Sequence, residues 1–193
     1  QLLLDHLTNA SEIAADLGRD AGVSELARTV ALLHDLGKYS AEFQRRLEGS
    51  RARVDHSTAG AQALVLRFPG HPVAKLLAYC IVGHHAGLPD YGDATDVENQ
   101  GTLVSRLKAD VPDYSAFEDE IDLAQIALPS RLDIRPLRES PHYSLSFLTR
   151  MVYSALVDSD FLETETYMRG NGRDVAVPRL GRAGYADIAN LCR

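Results

Sequence analysis

Seven histidines (His6, His34, His56, His71, His84, His85 and His142) occur in a chain of 193 residues. Five of them lie inside or at the edge of apolar helical runs. His34 and Asp35 are adjacent in ALLHDLGKY (31–39), and His56 opens the run in VDHSTAGA. His84 and His85 end HPVAKLLAYCIVGHH, and His6 lies beside the apolar face of the opening segment. An imidazole next to a carboxylate in a core-facing segment is costly unless something compensates the pair. Asp158 and Asp160, late in ALVDSDFLETE, oppose the dipole of their helix and want a cation. His71 and His142 sit beside prolines at helix starts, where a turn or cap role is enough.

Each histidine alone reads as an ordinary hydrogen-bonded core residue. Together they read differently, because a helical bundle can bring side chains from several helices to one internal point. Imidazoles with carboxylates suit a divalent transition metal (Mn, Fe, Co, Ni or Zn), with Mg a poorer match. No cysteine lies in the set, which disfavours a structural thiolate zinc site. Neighbouring residues on a helix point about 100° apart. The His34–Asp35 pair is therefore suited to placing a carboxylate between two ions, with the imidazole gripping one. His84 and His85, at a helix end, can both reach a second. So many donors exceed one tetrahedral ion and imply one or two ions with open positions. Two ions ~4 Å apart clamp a phosphate and lower the pKa of a bridging water. Lys38, one turn after His34, is placed either to contact a phosphate oxygen or to complement the C-terminal dipole of its own helix. Spacing alone does not separate these two roles.

The elements that must position these groups are helical. Leu3, Leu7, Ala10, Ala14 and Leu17 share one face of a helix over 2–17, ended by Gly18. Leu26, Val30, Leu33 and Leu36 predict a helix over 24–36, with Ser24 as N-cap and Gly37 just past its end. Further helices are predicted over 40–47 (cap Ser40), 57–67 (cap Ser57), Pro72 to about Val82, and 144–163. No window alternates with period two, so the fold class is all-α, a helical bundle with a metal site in its core. Residues 86–101, 110–115 and 129–141 read as loops, and no internal repeat is seen. From about 169 the chain changes character, with glycines and arginines interleaved.

Composition bounds the class. Hydrophobic residues at 45 % and charged residues at 24 % fit one globular domain. No run reaches the roughly 18 apolar residues of a membrane span, and no signal-peptide pattern is visible. Cys80 and Cys192 are too few for a disulfide framework, which points to reduced thiols in the cytoplasm. The net charge of −7 argues against a generic nucleic-acid-coating protein. It leaves room for a nuclease whose basic groups are local or whose metal ions supply the positive charge. The chain begins at Gln1 rather than Met, as a fragment would.

HDLGK, then DHSTAGA, then GHHAGLP, then ALVDSDFLETE, in this order, resemble the HD phosphohydrolase superfamily. More narrowly, they are similar to the HD nuclease domain of type I CRISPR-associated nuclease-helicases, and LLLDHLTNASEIA fits that family's opening helix. The resemblance covers about residues 1–167, leaving 168–193 as a possible linker. It implies metal ligands at His6, His34, Asp35, His56, His84 and His85. Asp160 is the best fit for the last ligand and Asp158 the alternative. It also implies a metal-dependent endonuclease and exonuclease degrading single-stranded DNA; with the spacing of Lys38, this reading places Asp35 and Lys38 in the catalytic set. The partners it implies are a helicase domain or subunit and an RNA-guided surveillance complex. No GxxxxGK[ST] motif occurs, so no helicase motor is read in this chain. Lys38, Arg45, Arg46, Arg51 and Arg53, with Tyr39 and Phe43, are candidates for a strand path. One rival reading is an HD phosphohydrolase acting on nucleotides or cyclic nucleotides. The other is a docking module with structural metals.

Overall fold

The apolar stripe Leu7, Ala10 and Ala14 is fully buried on α1 (Leu3–Leu17), which packs along α2 (Ser24–Leu33). Ala27, Val30, Ala31 and Leu33 of α2 are buried in turn, because α2 runs through the middle of the molecule and touches α1, α4 (Ser57–Arg67), α5 (Pro72–Gly83) and α7 (Pro141–Gly170). Leu64, Leu77, Ile81, Val152 and Leu156 join them in one core. Between α2 and α4 lie a 3-10 turn (Leu36–Tyr39) and the short α3 (Ala41–Leu47). Between α5 and α7 come α6 (Leu103–Lys108) and two further 3-10 turns. This computed structural model describes residues 1–98, 100–130, 132 and 140–170, and among them no strand occurs. The Arg- and Gly-containing stretch from 171 onward, Cys192 and most of the expected loop over 129–141 lie outside the described residues. Among the described residues no helix is long and apolar enough to cross a membrane.

Several local expectations are corrected. The second helix ends at Leu33, not at 36; His34 takes its C-cap position, and Asp35 leaves helical geometry at φ −112°, ψ 19°. Gly37 is therefore not a helix terminator. Its N–H donates to His56 O at 3.2 Å, and an added Cβ would stand 2.5 Å from His56 Cα, so its bareness lets two chain segments touch. Ser24 is not the cap of α2: Val23 holds that position, and the Ser24 hydroxyl donates to Ala15 O at 2.9 Å, tying α2 to α1. Ser57 is not the cap of α4 either, for Asp55 performs that task. Its Oδ1 accepts the N–H groups of Ser57 and Thr58 at 3.1 and 3.2 Å. Ser40 does cap α3, accepting the Phe43 N–H at 3.3 Å. The last helix is longer than expected at both ends, running from Pro141 to Gly170 past the boundary read at 167.

Candidate metal centre

Two helices end in the same way, and the repetition fixes the heart of the site. His34 is the C-cap of α2 and donates from Nδ1 to Ala31 O at 2.7 Å; His84 is the C-cap of α5 and donates from Nδ1 to Ile81 O at 2.6 Å. Carbonyls near a helix C-terminus lack intrahelical partners. Each imidazole satisfies one of them and is thereby oriented with Nε2 facing inward. His6 reaches the same place from the side of α1, its Nδ1 lying 2.5 Å from Oε2 of Glu163 on α7. His56 comes from the start of α4, His85 from just past α5, and Asp160 from α7.

All these groups surround Asp35, which is fully buried. Its Oδ2 lies 3.1 Å from His34 Nε2 and 3.7 Å from His6 Nε2, and Asp160 Oδ1 lies 3.4 Å from His6 Nε2. Its Oδ1 lies 3.5 Å from His56 Nε2 and 3.6 Å from His84 Nε2, with His85 Nε2 2.7 Å from His56 Nε2. Two donor sets result, each close enough to converge on one ion: His6, His34 and Asp160, and Asp35, His56, His84 and His85. The carboxylate of Asp35 stands between them, one oxygen toward each. All seven residues expected at the site are brought together. Asp158 is exposed and outside both sets, whereas Asp160 is within one. His142 is exposed, and His71 sits at the cap position of α5 against Phe68; neither joins the cluster.

The residues fit a metal because they are otherwise unsatisfied. Nε2 of His6, His34 and His84 and both oxygens of Asp35 are buried without a hydrogen-bond partner. The ammonium of Lys38 forms an ion pair with Asp35 Oδ2 from the site's outer edge. Coordination would give these atoms partners: N and O donors converging on divalent ions need no further hydrogen bond.

The charges are set by the same packing. Burial works against the His6 imidazolium, yet Asp160, Asp35 and Glu163 outweigh it and raise the pKa to about 10. Burial likewise opposes charge on His34, but Asp35 and Asp160 raise it to about 9. Burial works against the ionised carboxyl of Asp160, yet His34 and His6 hold it far below the usual range. On the other side, burial and the neighbouring His84 and His56 push His85 down to about 4. Metal coordination requires neutral imidazoles. Metal uptake through His6 and His34 would therefore displace protons from them. Near pH 7.5 about two protons are expected per protein, falling toward zero above about pH 10, and apparent affinity rises with pH over that range. The stabilisation of the metal-free protein by these two groups has the opposite slope. It is complete below the unfolded histidine value of about 6.5 and lost as pH rises through about 9 to about 10. Calorimetric titration in buffers of different ionisation enthalpy counts the protons; release of none at pH 7.5 would contradict the assignment.

Two supporting residues escape the sequence reading. Glu163 is buried behind His6 and follows Asp160 by three residues on α7, so helical spacing from Asp160 was the available signal. Arg106 on α6 donates to Thr58 Oγ1 at 2.6 Å, to Ser57 Oγ at 2.5 Å and to Asp55 Oδ1 at 3.1 Å. It thereby clamps the segment that carries His56, and nothing local in the sequence around Arg106 announces this. Among the candidates for a strand path, Lys38 and Phe43 line a groove at the site. Arg45 and Arg53 line a separate cavity of about 330 Å³, and Tyr39 donates its hydroxyl to Glu120.

With this geometry in view, the chain was compared with known proteins. The family model described as Cas3, HD domain matches residues 1–155. No curated protein matches the chain.

Proposed function

The chain belongs to the Cas3 HD-domain family, a family of metal-dependent nucleases of type I CRISPR systems, and from that premise we propose that it cuts single-stranded DNA, internally and from ends. The observation that carries this reading is the division of Asp35 between two donor sets. In the proposal, His6, His34 and Asp160 with Asp35 would hold one transition-metal ion (Mn, Fe, Co, Ni or Zn), and His56, His84 and His85 with Asp35 would hold a second. Such ions, when bound, supply a water of lowered pKa and a positive clamp for the phosphate. The chain's own residues do the rest. The backbone carbonyls of Ala31 and Ile81 and the carboxylate of Glu163 keep three imidazoles aimed inward. Asp35 fixes the separation of the two sets. Lys38, at the outer edge against Asp35, holds a phosphate oxygen of the strand as the phosphorus is attacked in line. We assign residues 1–167 to the nuclease domain and the following segment to a linker toward a helicase, with an RNA-guided complex delivering the strand.

The test strips the protein of metal, restores Mn, Fe, Co, Ni, Zn or Mg singly, and offers circular single-stranded DNA, duplex DNA and cyclic nucleotides. Cleavage of the circles with a transition metal is expected. Hydrolysis of a nucleotide while DNA survives would replace the substrate, and metal binding without any hydrolysis would favour a docking module.

A further inference from the structure

A groove of about 440 Å³ opens beside the metal centre, lined by Leu3, His6, Lys38, Phe43, Leu47 and Asp160 among others. His6 and Asp160 belong to one donor set, so whatever fills the groove adjoins the reacting phosphate. Its walls are unlike a phosphate track. Among the described residues, the only cationic side chain lining it apart from His6 is Lys38, and that ammonium is paired with Asp35. Phe43 forms an apolar floor and Leu47, 69 % exposed, an apolar rim. Leu47 and Leu2, 69 % and 72 % exposed, thus leave apolar surface at the mouth of the groove beside the donor set.

We propose that this groove receives the unpaired base of a nucleotide adjoining the scissile phosphate, resting on Leu47 and Phe43. The proposal rests on the nuclease reading and adds what selects the substrate. A base offers a flat, uncharged face that gains from apolar contact whatever its identity. Phosphates other than the one at the metals find no unpaired cationic side chain among the described residues that line the groove. In a duplex both faces of each base are covered by neighbours, and exposing one costs unstacking and unpairing. Preference for single strands then follows from the groove itself, with little dependence on base sequence. Gln44 and Thr164, also lining it, supply polar atoms that tolerate different base edges.

The experiment compares the metal-loaded protein with Leu47→Ser and Leu47→Trp on a single-stranded oligonucleotide whose cut position has been mapped. The same strand is then tested with an abasic residue on either side of the cut. For Leu47→Ser, KM is expected to rise roughly tenfold with kcat within about twofold, and Leu47→Trp to restore or lower KM. An abasic residue on one side should cost the parent protein roughly tenfold and cost Leu47→Ser little more. Unchanged metal stoichiometry and melting temperature show that both variants are folded. Equal cleavage of intact and abasic strands, or an unchanged KM for Leu47→Ser, overturns the proposal. If the parent protein cuts no DNA with any metal, the nuclease reading fails separately. Anisotropy of the same oligonucleotides on the metal-free proteins then decides the groove by the same comparisons.

Discussion

Asp35→Asn is expected to lower cleavage of circular single-stranded DNA by at least about a thousandfold, a loss of roughly 4 kcal/mol in transition-state stabilisation. Asparagine keeps the volume and one oxygen, so packing against the fully buried His34 is retained. It removes the negative charge, and its amide nitrogen has no lone pair for a metal. Of the two oxygens that face the two donor sets, only one remains able to coordinate. One ion per protein in place of two is therefore expected by metal analysis after dialysis. The metal-free variant also loses a carboxylate that raises His6 and His34, so both histidines should titrate lower than in the parent. Asp158→Asn supplies the control: Asp158 is exposed and outside both donor sets, and its variant should cut as the parent does. Asp35→Asn retaining more than about a tenth of the activity with two ions bound would show that the carboxylate does not join the sets.

The chemistry was legible where residue type alone decides it, and the geometry was not. Histidines and aspartates in apolar runs demanded an explanation from their cost, and all seven expected residues converge. What the runs could not reveal was where helices stop. ALLHDL keeps its apolar period through Leu36, so periodicity carried the second helix three residues too far. The helix yields at His34 because a side-chain N–H there satisfies the carbonyl of Ala31, and because Gly37 must meet the backbone of His56. That early stop helps the chemistry, since Asp35 is freed from the fixed angle between helical neighbours and can face both sets. The cap of α4 was misassigned for a related reason. Ser57 is a good cap by type, but the preceding Asp55 reaches two N–H groups and is held by Arg106, some fifty positions away. Short α6 was missed because six residues carry too little pattern to read as a helix. Glu163 carries no local signal of burial; only the arrival of α1 beside α7 buries it against His6.

Gly60→Ala is expected to destabilise the protein by about 3 kcal/mol or more, although alanine is the better helix former by about 1 kcal/mol. Gly60 lies within α4, where an added Cβ would stand 1.8 Å from Leu33 O and 2.9 Å from Leu33 C. Both are backbone atoms at the end of α2, so no side-chain rotation relieves the overlap; the two helices must separate. At about 2–4 °C per kcal/mol for a chain of this size, the melting temperature should fall by roughly 6–12 °C. The damage reaches the site because of where the contact is. Leu33 immediately precedes His34 and Asp35, and α4 begins just after His56. Pushing α4 from α2 draws the His56 imidazole away from Asp35 Oδ1, now 3.5 Å distant. Affinity at the set formed with His84 and His85 should fall more than at the set formed by His6, His34 and Asp160. Thermal melts with and without chelator, beside a metal titration, separate the two effects. A melting temperature that rises, or falls by less than about 2 °C, would mean that α4 and α2 can repack without the bare backbone at position 60. The glycines of HDLGK and HSTAGA would then need another explanation than the one the geometry offers: each removes a side chain so that the segments carrying Asp35 and His56 can approach one another.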